Sequence, residues 1–299
     1  MSVRARHNAN HPLIVDVALA PTLLPLDAPV RHAPIYVVID VVRATTTICM
    51  LFEHGCRRML LASSIAAARE ARATLGSDWL LAGEVEGARP PGFDFGNSPA
   101  EFATCDLAGR GVICATTNGT RALRACAGGR AVFAGSLRNA EALAQTLAAK
   151  MRERPVAEAA DMAAVREMGA PDASEAERVP PTDVVFVCAG RGGRPAYDDT
   201  VCAGYLARSL RHAAGAERII LGENARMACD LLAHVEATVG IEAALRTSDA
   251  GQAVERIGLG ADIALCAAAN TASALPTIAG MYRDTDLYVV EDAARCPHE

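Results

Sequence analysis

The sequence has no uncharged apolar stretch approaching the ~18 residues of a membrane span, so no segment reads as a membrane anchor. It has no run of lysine or arginine, and its net charge of −6 offers no field to hold a nucleic-acid backbone. Its ten cysteines contain no Cys-x-x-Cys pair, and none of its seven histidines has a Cys or His partner at zinc-ligand spacing. The phosphate loop of nucleotide hydrolases, GxxxxGK followed by Ser or Thr, is missing as well. The first ten residues carry two arginines but lead into no long apolar core. These absences point to a soluble, cytoplasmic protein that binds neither nucleic acid nor membrane. Any metal it holds should prefer oxygen ligands. Cysteines inside apolar runs such as Val112-Ile-Cys-Ala and Val185-Phe-Val-Cys-Ala read as small buried hydrophobes in a reducing compartment.

What is present is ample core material: 51% of the 299 residues are hydrophobic, enough for one large domain or two modest ones. Short β-branched runs alternate with Ala-rich stretches of helical length. That alternation predicts an α/β fold, a three-layer α/β/α arrangement with a largely parallel or mixed sheet and helices on both faces. Strands are expected at 35–42, 58–62, 79–83, 111–115, 131–134 and 183–188, with two more at 262–266 and 286–290. Helices are expected near 45–54, 64–75, 98–104, 118–126 and 137–152, then 199–213, 223–234, 239–246 and 249–257. Residues 154–181 lack a strand pattern and read as a linker or surface insertion, with an amphipathic helix around Glu158–Met168. The chain thus divides into an N-terminal segment 1–34, a first α/β half 35–153, the insertion, and a second half 182–299.

Polar clusters sit where the apolar runs end. Ile35-Tyr-Val-Val-Ile39 runs into Asp40-Val-Val-Arg43-Ala-Thr45-Thr46-Thr47, and ligands of open α/β sheets bind outside the carboxyl ends of strands. There Asp40 supplies an oxygen ligand or nucleophile, Arg43 an oxyanion clamp, and Thr45–Thr47 hydroxyl and amide donors. A glycine-punctuated loop follows, with Glu84 and Asp94 as oxygen ligands and Asn97 as a neutral donor and acceptor. Thr116-Thr117-Asn118-Gly119-Thr120 opens a helix directly after 111–115, as an anion cradle does. Val184–Cys188 runs into Gly190-Arg191-Gly-Gly-Arg194, and Asp198-Asp199 then opens another helix. These two acids suit Mg2+ or general acid/base work, although neighbours on a helix point about 100° apart and need not reach one ion. Cys188 is a nucleophile candidate without a nearby His, and Asn270 is a candidate to line the site. Each cluster also has a plain structural reading as a helix cap or first-turn acid.

Four of these motifs in series, Asp40–Thr47, Gly92-Phe-Asp-Phe-Gly-Asn-Ser-Pro99, Thr116–Thr120, and Cys188-Ala-Gly with Asp198-Asp199 and Cys202-Ala-Gly204, resemble the 2-phosphosulfolactate phosphatases. The similarity spans about residues 35–276. It implies a Mg2+-dependent phosphatase converting 2-phospho-3-sulfolactate to 3-sulfolactate and phosphate, a step associated with coenzyme M biosynthesis. Two departures stand out: the family more often has Glu then Asp where this chain has Asp198-Asp199, and the 154–181 insertion is longer than usual.

Residues and resemblance together predict metal-assisted phosphoryl transfer to water. Asp40, Glu84, Asp94 and Asp199 form the expected Mg2+ set, and Asp40, Arg43, Asp198 and Asp199 the catalytic set. Thr45, Thr46, Thr47, Asn97, Thr117, Asn118, Gly119, Thr120 and Arg191 form the expected grip on a small substrate bearing phosphate plus sulfonate or carboxylate. A homo-oligomer is compatible with the sequence. Two alternatives stay open: a non-enzymatic binder of a small phosphorylated or sulfonated acid, and a phosphatase of the same fold with another substrate.

Overall fold

The computed structural model describes residues 12–24, 33–116, 118–152, 182–283 and 285–295. Ten strands among them form one mixed sheet: β1 (Leu13–Ala18), β2 (Ile35–Ile39), β3 (Arg58–Leu61), β4 (Trp79–Gly83), β5 (Gly111–Ala115), β6 (Ala131–Gly135), β7 (Val184–Cys188), β8 (Ile219–Leu221), β9 (Pro276–Met281) and β10 (Tyr288–Asp292). Their order across the sheet is β4-β5-β3-β10-β9-β6-β2-β7-β1-β8. Strands β4, β5 and β3 form one parallel block, and β6, β2, β7, β1 and β8 a second. The β9–β10 hairpin joins the blocks by antiparallel pairing on both sides. Three reversals in succession make the blocks opposite in sense. A flat sheet would then hold the ends of β2 and β5 on opposite edges, yet those ends meet; the β6–β9 joint between the blocks is held by one register pair, Phe133 with Thr277.

The helices are α1 (Ala44–Glu53), α2 (Ile65–Leu75), α3 (Pro99–Phe102), α4 (Gly119–Ala125), α5 (Ala140–Arg152), α6 (Tyr197–Ala214), α7 (Glu223–Thr238), α8 (Ile241–Thr247), α9 (Asp249–Arg256) and α10 (Ala261–Ala267). They cover both faces of the sheet, and β2 shows why. Side chains alternate across a strand, so Ile35, Val37 and Ile39 pack with Leu143 and Leu147 of α5, Leu206 of α6 and Leu232 of α7. Tyr36 and Val38 face the other way, toward Leu51 and Phe52 of α1 and Leu123 of α4. A strand covered on both faces must be apolar throughout, and all five residues of β2 are buried. The three-layer α/β architecture expected from the alternation is therefore the one found.

Some elements differ from expectation. The run at 262–266 is not a strand but most of α10, in which Asp262, Ile263 and Cys266 are the buried positions. Burial at intervals of three and four is a helical period, which a short apolar run does not reveal by itself. Strands β1, β8 and β9 were not foreseen: β1 lies in what reads as a terminal segment, and β8 has only three residues. The insertion 154–181, with its expected helix at 158–168, lies outside the described residues.

The helices α6 and α7 cross at Gly204. A Cβ there would stand 2.2 Å from the carbonyl oxygen of Ala228 on α7, so the glycine is needed for the close approach. Replacing Gly204 with Ala improves helix propensity but forces the helices apart, and overpacking of this kind costs about 1–3 kcal/mol. A lower urea midpoint for Gly204→Ala is the expected result, and an unchanged or higher midpoint contradicts the crossing.

Candidate functional site

Two neighbouring strands of the second block, β2 and β7, end beside the first turn of α6. Between them opens a cavity of about 460 Å³, walled by Asp40, Val42, Asn118, Gly190, Arg191, residues 195–199 and residues 247–250. Asp40 directly follows β2, Asp198 and Asp199 lie in the first turn of α6, and Ser248 caps and Asp249 begins α9. Acids at a helix N-terminus face its positive dipole end, which offsets part of the cost of burying them.

Both expected anion cradles hold the protein's own carboxylate. The N–H of Ala44, first in α1, donates to Asp40 Oδ1 at 3.3 Å, and the N–H of Gly119, first in α4, also donates to Asp40. Gly119 has to be glycine for this, since a Cβ there would come within 2.7 Å of the Ala44 Cβ and 3.0 Å of Asp40 Oδ2. Asp199 is held in the same manner. Its Oδ1 accepts from the Val41 N–H and its Oδ2 from the Gly190 N–H, each at 3.0 Å, so one carboxylate stitches the ends of β2 and β7 together.

Burial dominates the electrostatics. It raises the Asp40 carboxyl to about 6, with the charge of Glu84 adding and the Ala44 and Gly119 amides and Arg43 opposing. Burial likewise raises Asp198 to about 7; Asp40 adds to the shift, while a backbone amide, the Ser248 hydroxyl and Arg191 oppose it. Asp199 is pushed well above the usual carboxylate range by burial and then by Asp198 and Asp40. Three acids that each disfavour the others' charge form a site that attracts a cation or a proton.

The structure distributes the sequence candidates unevenly. Asp40, Asn118, Arg191, Asp198 and Asp199 come together on the cavity. Arg43 does not line it: the guanidinium is buried and donates to Asp262 Oδ2 at 2.9 Å and to the Gly87 carbonyl at 2.8 Å. The hydroxyls of Thr45, Thr46 and Thr47 are equally committed, to the Asp40 N–H, the Val41 carbonyl and the Asn97 carbonyl. Asn97 is itself buried against that helix. Thr120 exchanges hydrogen bonds with Thr116, and Thr117 lies outside the described residues. Asp94 is elsewhere, accepting from the Leu81 N–H at 2.7 Å and pairing with Arg72. Glu84 caps its own turn by accepting from the Gly87 N–H.

The expected four-carboxylate Mg2+ set is therefore not assembled, and among the described residues no three His, Cys, Asp or Glu side chains form a ready-made cage. Cys188 is fully buried with its thiol pushed up by burial, the opposite of what a nucleophile needs. Asn270 instead ties the start of α5 to Tyr205.

Sequence reading missed the wall made by Thr247, Ser248 and Asp249. Ser248 caps α9, accepting from the Gly251 N–H at 3.0 Å, and its sequence context, Ser-Asp ahead of a helix, identifies a cap and nothing more. Only the docking of α8 and α9 beside α6 turns that junction into part of a site.

The fold is that of an α/β protein with its cavity outside the carboxyl ends of two sheet strands, the place where ligands of open α/β sheets bind. Sequence comparison narrows the class. The family model described as 2-phosphosulpholactate phosphatase matches residues 19–160 and 170–280. The chain is 34% identical over 250 residues to a "Probable 2-phosphosulfolactate phosphatase" of Thermus thermophilus, covering 83% of this chain and 90% of that protein. It is 35% identical over 252 residues to one of Deinococcus radiodurans, covering 84% and 90%. The chain belongs to the 2-phosphosulfolactate phosphatase family, whose named reaction is that of a phosphoric monoester hydrolase.

Proposed function

We propose that this chain hydrolyses 2-phospho-3-sulfolactate, or a closely similar small organic phosphate, to 3-sulfolactate (or the corresponding alcohol) and phosphate with the help of Mg2+. The observation that carries the reading is one cavity with Asp40 and Asp198 on its acid wall and Arg191 and Asn118 beside them, in a chain of this family. Mg2+ fits the donor set. It is held typically by one or two carboxylates plus substrate phosphate and water, so Asp40 and Asp198 suffice without a protein cage. When bound, the ion supplies positive charge for the transferring phosphoryl group. Asp199 holds β2 and β7 together through the Val41 and Gly190 amides. Arg191, an exposed side chain that lines the cavity and is bonded to the Asp249 carbonyl, would take the sulfonate or carboxylate end of the substrate. Asn118 offers a neutral amide to the phosphate ester.

The test is phosphate release from 2-phosphosulfolactate, phospholactate and phosphoglycerates, with Mg2+ and with EDTA. Release from 2-phosphosulfolactate that EDTA abolishes is expected; release from none of these esters sinks the reading.

A pH dependence follows from the acid wall. Folded-state values raised above the unfolded ones mean that the native state holds more protons than the unfolded chain between about pH 4 and about pH 7. The contribution of these groups to stability is thus largest at low pH and falls as pH rises through that window. Metal ligation needs the deprotonated carboxylates. Mg2+ should therefore raise Tm clearly at pH 8 and little at pH 5, and Asp198→Asn should flatten the difference. Equal Mg2+ shifts at both pH values would contradict the two-carboxylate site.

A further inference from the structure

Asp262 lies in the first turn of α10, outside the cavity, and is completely buried. Its Oδ2 accepts from Arg43 Nη1 at 2.9 Å, and its Oδ1 accepts from the Ser98 hydroxyl at 2.6 Å and the Ala100 N–H at 3.2 Å. The other arm of Arg43 donates to the Gly87 carbonyl at 2.8 Å, and the Gly87 N–H donates to Glu84 Oε2 at 2.8 Å. One carboxylate thereby joins three stretches distant in sequence: the turn after β2, the loop after β4, and α10. The first carries Asp40 and the second carries Glu84, whose charge acts on Asp40. Ile257, just past α9, packs against the same loop, within 3.1 Å of where a Gly87 Cβ would be.

We propose that Asp262 is a positioning residue for the hydrolysis, holding the Arg43 guanidinium away from Asp40 so that the acid wall of the cavity stays available to substrate and cation. The proposal rests on the phosphatase reading. Its physical basis is that a guanidinium cannot discharge itself by losing a proton, and a buried cation without its partner turns to the next carboxylate. Asp40 is three residues away in sequence and already feels the charge of Arg43. The Asp262 carboxylate and the Gly87 carbonyl hold the two ends of that guanidinium. Were it to reach Asp40, it would occupy the carboxylate that faces the substrate.

The experiment compares wild type, Asp262→Asn, Arg43→Gln and the double variant in phosphate release from 2-phosphosulfolactate, with Tm and circular dichroism as folding controls. Asn keeps the shape and an oxygen for Ser98 and Ala100 but offers Arg43 no charge. Asp262→Asn should lose about 10–100-fold in kcat, with KM changed far less. The double variant should lose no more than the worse single variant, because the misplaced guanidinium is gone. Losses that multiply, or a lowered Tm with wild-type kcat per folded molecule, overturn the role in favour of a structural one. If Asp262→Asn does not fold, Asp262→Glu carries the test: it keeps the charge but displaces it by a methylene, and a smaller loss in kcat at near-native Tm is expected, whereas an unchanged kcat overturns the role. A wild-type protein without phosphatase activity removes the reaction and this role together; an active wild type with a fully active Asp262→Asn removes the role alone.

Discussion

Replacing Asp198 with Asn should reduce kcat/KM for phosphate release from 2-phosphosulfolactate by about 10²–10⁴-fold, the usual range for removing a carboxylate that moves a proton or holds charge at the reacting centre. The substitution is nearly isosteric and keeps an oxygen for the Ser248 hydroxyl, so the first turn of α6 should stay in place. Stability moves the other way. Asp198 is 3% exposed, raised by the charge of Asp40, itself raises Asp199, and is costly to ionise. Removing its charge should leave Tm equal or higher at pH 8. Steady-state kinetics paired with thermal melts separates the two effects: a variant within tenfold of wild-type activity would show that Asp198 takes no part in the reaction.

The second large effect concerns Arg43. Truncating it to Ala leaves Asp262 as a buried charge without a partner and the Gly87 carbonyl without its donor. Breaking a buried ion pair from one side costs about 3–5 kcal/mol, whereas replacing both partners with apolar side chains is often neutral. Urea denaturation of Arg43→Ala should show a loss of that size, and Arg43→Met combined with Asp262→Leu should recover much of it. A phosphate clamp on the cavity wall would behave differently, raising KM while leaving the urea midpoint nearly intact.

That contrast shows where sequence reading reached and where it stopped. Asp40, Asp198 and Asp199 were legible because each follows an apolar strand or opens a helix, and an acid in that place is conspicuous over a few residues. Arg43 and Thr47 were just as conspicuous, but their partners, Asp262 and Asn97, lie 219 and 50 residues further along, while Thr45 and Thr46 turn back on the Asp40 N–H and the Val41 carbonyl. Local sequence carries no mark of whether a hydroxyl will face a cavity or a distant carbonyl. Asp94 illustrates the same limit: as part of a glycine-punctuated loop it reads as a ligand, whereas in the fold it tethers that loop to β4 through the Leu81 N–H.

The sequence by itself determined the α/β alternation, the apolar central strands, the polar turns at their ends and the family to which the chain belongs, because all of these are written in the local order of residue types. The tertiary structure decided which turns meet. The β9–β10 hairpin, from the end of the chain, enters between β3 and β6 and sets the two parallel blocks in opposite senses. The docking of α8 and α9 beside α6 completes the cavity with Ser248 and Asp249. Burial is a property of the packed whole; it is the largest cause raising the acid wall toward neutral pKa values, and it turns Arg43 from a cavity residue into half of a buried pair.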